Sequence, residues 1–335
     1  MGSRPLISLL LLLGVTEGVL SSVYSRSSNL VGQSFLDAFT WQTIADPNYG
    51  RVNYIDEATA QSKGLFSVSK NQVTLRADST TTLSSTGPGR DAFRLSSNDQ
   101  YTAHVAIFDI VHMPQGCGTW PAVWYYSLSL SRVQHPLISL QELGANWPDE
   151  GEIDIVEGVN NQSPNLSSMH TSANCTMPSS RSMTGTSQGT NCDVDETNNS
   201  GCGVLTNDTR SFGPAFNSAG GGWYAIERTS SFVKIFFWER HSMSVPTDVT
   251  NPGSTINTEN WGVPAAYFPD TDCNFATHLG PHNIMIDLDF CGAWAGDSQV
   301  YASSGCPSTC IDYVNQNPSA FRSAYFTFNS LNIYE

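Results

Sequence analysis

The sequence is short of charge: Lys and Arg number 15, Asp and Glu 30, and together they are 13% of 335 residues. With so few cations and a net charge of −15, the surface field repels phosphate polyanions, so nucleic acid and anionic membrane are poor partners and neither is expected. The sequence also lacks an apolar run of the ~20 residues needed to span a bilayer. Its longest, Leu6 to Val15, is about ten residues. Helical periodicity over three turns is missing, and only Asp56 to Ser62 and Asn315 to Phe321 have the pattern of short helices. No Cys-x-x-Cys and no paired-histidine spacing occurs, which removes the common zinc modules. Internal repeats, a Ser/Thr/Pro stalk and a hydrophobic tail after Tyr334 are absent too, so one domain without a membrane anchor is expected.

What is present points to a secreted β protein. Arg4 precedes the apolar run and small residues surround Ser21, the pattern of a signal peptide over residues 1–21. A single domain over 22–335, monomeric and outside the cell, follows as the expectation. Eight cysteines (Cys117, Cys175, Cys192, Cys202, Cys273, Cys291, Cys306 and Cys310) are an even set in an oxidising compartment and read as disulfides. Their pairing is left open, although Cys306 and Cys310 are near enough to close a local loop. Five sequons, at Asn161, Asn165, Asn174, Asn198 and Asn207, would place their stretch at the surface if glycosylated. β-Branched and aromatic runs of strand length occur at Gln72 to Ala77, Tyr101 to Ile110, Phe232 to Trp238, Asn283 to Phe290 and Ala324 to Tyr334. Ser163 to Gly222, rich in Ser, Thr, Asn and Gly, reads as long stapled loops. The fold class is therefore all-β, a sandwich.

The segment Gly151-Glu-Ile-Asp-Ile-Val-Glu-Gly158 carries the chemistry. On a regular strand Glu152 and Asp154 share one face and Ile153 and Ile155 the other. Glu157 stands at an odd offset from Glu152 and would face the core, unless a β-bulge at Ile155/Val156 returns it to the acids. With the bulge the two Glu are about four strand steps apart, roughly 13 Å, and leaning side chains bring their carboxyls to roughly 5–6 Å. That fits the ~5–5.5 Å of a retaining glycosidase rather than the ~6.5–9.5 Å of an inverting one. The competing reading is a solvated acidic strand face, but three acids on one short strand repel, and solvation gives no reason for the frame shift.

This motif resembles the signature of glycoside hydrolase family 16, and in particular its fungal laminarinase-like endo-β-1,3(4)-glucanases. Gly89-Arg-Asp-Ala-Phe-Arg94, His112 to Trp124, Gly221-Gly-Trp-Tyr-Ala225, Cys291-Gly-Ala-Trp-Ala-Gly296 and Gly305 to Cys310 are similar in content and order, and the likeness covers about Ser34 to Tyr334. It implies a β-jelly-roll sandwich of two antiparallel sheets with substrate in a concave cleft. It further implies Glu152 as nucleophile, Glu157 as general acid/base and Asp154 as the carboxylate that positions Glu152, with no metal or cofactor. Sugar rings present C–H faces to aromatics, and by resemblance Trp124, Trp147 and Trp294 line the cleft. His170 matches a histidine near the acid/base, and Arg94 is a candidate partner for a sugar hydroxyl. A tryptophan or histidine without that context is more often core. Gly185-Thr-Ser-Gln-Gly189 spells a serine-hydrolase elbow, but it lies between cysteines without the strand and helix such an elbow needs.

The likeness breaks at residues 125–141, Tyr125 to Gln141, a Ser/Leu-rich stretch between the Trp-rich block and the Trp147-Pro148 turn. Its 17 residues correspond to 51 nucleotides, the size of a short intron, so a retained intron and a genuine insertion are both open. Ala293 stands where the family motif carries Asp. The function expected is a secreted endo-β-1,3(4)-glucanase that cleaves β-glucan with retention. Its competitors are a cell-wall glucan transglycosylase and a noncatalytic β-glucan-binding protein.

Overall fold

The computed structural model describes residues 22–127 and 146–335. The expected signal peptide and residues 128–141 of the atypical stretch lie outside the described residues. Among the described residues two large antiparallel sheets face each other. One runs in the order Thr186–Ser187, Val204–Leu205, Leu166–His170, Glu152–Glu157, Thr119–Tyr126, His282–Phe290, Arg94–Tyr101, Phe39–Trp41. The other has Tyr325–Tyr334 and His104–His112 at its centre, flanked by Val23–Leu30 on one side and by Gly222–Arg228 and Phe232–Glu239 on the other. The all-β jelly-roll expectation holds.

Strand alternation builds the core. Ile153, Val123, Tyr125, Ile284, Ile286 and Leu288 from the first sheet pack with Phe108, Ile110, Tyr224, Ile226, Phe326 and Phe328 from the second, and all are buried. Tyr125 and Tyr126, assigned by sequence to the atypical stretch, are instead the end of the strand Thr119–Tyr126, paired to both neighbours. The Tyr125 hydroxyl reaches His104 Nε2 at 2.8 Å inside the sandwich.

Three other expectations are corrected. Cys306 and Cys310 do not close a local loop: the pairs are Cys117–Cys306, Cys175–Cys273, Cys192–Cys202 and Cys291–Cys310. The helix expected over Asn315 to Phe321 is two pieces, Cys310–Gln316 and a 3-10 turn Pro318–Ser323. Pro318 disfavours helical geometry at the residue before it, and Asn317 sits at φ −120°, ψ 60°. The stretch Ser163 to Gly222 does contain stapled loops, but Leu166–His170 is an interior strand of the first sheet. Its polar Ser168 and His170 belong to the face of the acids, which is why it does not read as a hydrophobic strand.

Candidate active site

One irregularity brings the acids together. Asp154 pairs with Trp124 and Val156 with Val123, so the partner strand advances one residue while this strand advances two. Opposite, the register runs from Asp154 with Ser168 to Glu157 with Leu166. The bulge required by the sequence is therefore present at Ile155/Val156. Both of those side chains enter the core, and Glu157 returns to the face of Glu152 and Asp154. Pairing lays that face out in rows: Leu166, Glu157, Ala122, Asp287 and Arg94, then Ser168, Asp154, Trp124, Met285 and Ser96, then His170, Glu152, Tyr126 and Asn283.

Each glutamate receives one indole N–H. Trp147 Nε1 donates to Glu152 Oε2 at 2.9 Å, and Trp120 Nε1 donates to Glu157 Oε1 at 3.0 Å. Asp154 is hydrogen-bonded to Glu152, and its Oδ2 lies 3.2 Å from His170 Nε2. Carboxylate and imidazole atoms of Glu152, Asp154 and His170 all fall within 4.8 Å of one another. Gly201, at φ +57°, abuts the imidazole: a Cβ there would sit 2.9 Å from His170 Nδ1.

The electrostatics are those of crowded, desolvated acids. Burial first, and Asp154 second, push Glu152 and Glu157 each up to about 8. Asp154 is pushed up to about 8 by burial and by Asp287. Asp287 itself rises only to about 6, because burial is opposed by the Arg94 guanidinium 2.6 Å away and by Trp124 Nε1 at 3.3 Å. The group titrates as a set, so at neutral pH it retains protons that isolated carboxyls would have lost.

The turn carrying Trp147 is anchored from behind. Gly280 N and His282 Nε2 both donate to Glu150 O, at 2.9 and 2.6 Å. Arg228 Nη1 faces His282 Nδ1 at 3.1 Å, and an arginine can only donate, so the ring proton is on Nε2. Burial and the Arg228 charge push His282 down to about 3, which keeps the ring neutral in that tautomer. Gly151 follows at φ +71°, where a Cβ would meet His278 O at 2.4 Å.

A pocket of about 290 Å³ adjoins Glu157, lined by Gln162, Leu166, Gln188, Ser200 and Trp294 among others. Trp294 meets Trp120 edge to face at 5.7 Å. A larger hollow of about 860 Å³ lies by the second sheet, against Trp238, Glu239 and Trp261, and includes none of these acids.

A family model described as the XgeA-like catalytic domain of glycoside hydrolase family 16 matches residues 39–135 and 138–334. The chain belongs to glycoside hydrolase family 16. A probable glycosidase of Schizosaccharomyces pombe is 39% identical over 318 residues, covering 94% of this chain and 70% of that protein. A probable endo-1,3(4)-β-glucanase of Aspergillus clavatus is 37% identical over 94% of this chain, which spans 47% of that relative's length. Among solved structures, laminarinase 16A of Phanerochaete chrysosporium, bound to two β-glucans in donor and acceptor sites, has 50% identity and a TM-score of 0.88, covering 93% of this chain and 100% of that one. An elongating family 16 β-1,3-glucosyltransferase has 36% identity and a TM-score of 0.81, over 93% and 100% of the two chains.

Of the residues singled out by sequence, Glu152, Asp154, His170 and Trp147 are in direct contact, Glu157 stands on the same face in the next row, and Trp124 stands in the same row as Asp154. Trp294 reaches the group through Trp120. Arg94 is buried, its guanidinium bonded to Asp287 and Gln42 and 5.0 Å from the Trp124 ring centroid, so it supports the wall from within. Sequence reasoning missed Trp120 and Asp287. Strand alternation from Trp124 through Ala122 would have put Trp120 on the acid face. The Ser187 hydroxyl of the elbow-like motif accepts from Arg181 and donates to Gly189 O, and among the described residues no histidine is bonded to it.

Proposed function

We propose that this chain is a secreted, monomeric, retaining endo-β-1,3(4)-glucanase, with β-glucan lying along the acid-bearing face of the first sheet. The observation that carries the reading is the bulge, which sets Glu152 and Glu157 on one face with Asp154 between them. Glu152 accepts from Trp147 Nε1, a donor that favours its ionised form, and its hydrogen bond with Asp154 holds the carboxyl in place. It attacks the anomeric carbon and forms a glycosyl ester. Glu157, kept protonated by burial and by Asp154, gives its proton to the departing glycosidic oxygen. Ester formation removes the Glu152 charge, the Glu157 pKa falls, and Glu157 then takes a proton from the water that hydrolyses the ester. Trp124, Trp147 and Trp294 offer ring faces to the sugars, and Arg94 stiffens the wall behind Trp124.

Reducing-end release from laminarin, lichenan and carboxymethyl cellulose tests it. Cleavage of the first two that disappears in Glu152→Gln is expected, and an inert, folded wild-type protein would refute the assignment. The pocket beside Glu157 and the likeness to a glucosyltransferase favour a second reading, transfer of the glycosyl group to a sugar hydroxyl in place of water. Products longer than a supplied laminari-oligosaccharide would reveal it.

A further inference from the structure

The bulge that turns Glu157 toward the other acids takes backbone groups out of the regular ladder, and two side chains of the next strand segment meet them. Asn165 is 0% exposed. Its Oδ1 accepts the Glu157 N–H at 3.0 Å while its Nδ2 donates to Ile155 O at 2.9 Å. Ser167, also buried, donates its hydroxyl to the same Ile155 carbonyl at 2.9 Å. The Asn165 N–H is in turn fixed by Ser211 Oγ at 2.9 Å. One amide thus brackets the bulge with an acceptor on one side and a donor on the other. An ionised carboxylate of that size accepts but cannot donate, and an apolar side chain does neither.

We propose that Asn165 and Ser167 are positioning residues for Glu157, locking the bulge whose register aims the acid/base carboxyl at the scissile bond. The proposal rests on the reading of Glu157 given above. It also gives Asn165-Leu166-Ser167 a structural role, although the three residues spell a glycosylation sequon: both polar side chains are occupied inside the protein.

The test uses the full chain with Asn165→Ala, Ser167→Ala and, as reference, Glu157→Ala. Each is assayed on laminarin and on a 2,4-dinitrophenyl β-laminaribioside, with and without azide. The dinitrophenolate leaves without a proton, so the first step on that substrate does not need the acid. Azide attacks the glycosyl ester without a base, giving the glycosyl azide and free Glu152. Displacement of Glu157 by about 1 Å costs on the order of 10²-fold. Asn165→Ala is therefore expected to lose about that much kcat on laminarin, to retain kcat/KM on the aryl substrate, and to regain turnover with azide. Ser167→Ala follows the same pattern more weakly and decides the matter if Asn165→Ala does not fold. Equal losses on both substrates with no azide response, or no loss on laminarin, overturn the proposal. If Glu157→Ala is not rescued by azide, the role of Glu157 falls and the proposal with it. Rescue of Glu157→Ala beside an unrescued Asn165→Ala removes the clamp alone.

Discussion

The two ends of the strand Glu152–Glu157 carry the same side chain and are held in different ways. Glu152 is served by Trp147, 38% exposed on a turn, and that turn is anchored through the carbonyl of Glu150 to His282 and Arg228. Glu157 is served by Trp120 on the adjacent strand, and its backbone is bracketed by Asn165, the residue before the strand on the other side. One end is tuned by a loop, the other fixed by the sheet. A nucleophile needs its charge stabilised, and donors on a turn do that. A group that must give and retake a proton needs a fixed position more than a fixed charge.

The contrast is broken most severely by removing the carboxyls. Glu152→Gln is expected to abolish turnover of every glycoside. Glu157→Gln is expected to cost about 10²–10⁴-fold on laminarin, yet still release dinitrophenolate in a pre-steady-state burst. Absence of that burst would assign the two ends wrongly. The indoles come next. Trp147→Phe removes a hydrogen bond to a charged group and is expected to lower kcat about tenfold or more at every pH. Trp120→Phe removes the donor that favours ionised Glu157, so its alkaline limb should move to higher pH with a smaller loss at neutrality. Identical pH profiles for the two variants would erase the distinction.

Stability supplies a milder test. The acids are raised from ordinary carboxylate values to about 8, so between those limits the folded chain binds more protons than the unfolded one. Their contribution is fully present below the unfolded pKa and is lost as pH rises through about 8. Glu157→Gln should therefore melt higher than wild type at pH 8 and alike near pH 4, as scanning calorimetry would record. The smallest effect expected is chemical: peptide mapping should find glycan only among the exposed sequons Asn161, Asn174, Asn198 and Asn207, with Asn165 bare.

Much of this was legible in the sequence where a pattern is local. The period-2 alternation of Glu152, Ile153, Asp154 and Ile155, broken before Glu157, was enough to demand the bulge, and the structure has it. What holds the bulge was not legible, because Asn165 and Ser167 look like loop residues until pairing sets them opposite Ile155. Trp120 was passed over because its partner is named by cross-strand register rather than by distance along the chain. The cysteine pairing stayed open for the same reason: Cys117 and Cys306 are 189 residues apart, and proximity in sequence suggested only the local loop of Cys306 and Cys310, which does not form.

The place of the strand Val23–Leu30 bears on how the protein is made. It lies between Tyr325–Tyr334 and Thr255–Asn257, with no early neighbour in the sheet. His104–His112 likewise waits for Tyr325–Tyr334 on one side and Gly222–Arg228 on the other. While the ribosome is still translating, both present bare strand edges, the kind of surface that pairs with other chains. The second sheet is completed only after the strand Tyr325–Tyr334 has emerged, and these long-range pairings make the folding of this domain slow.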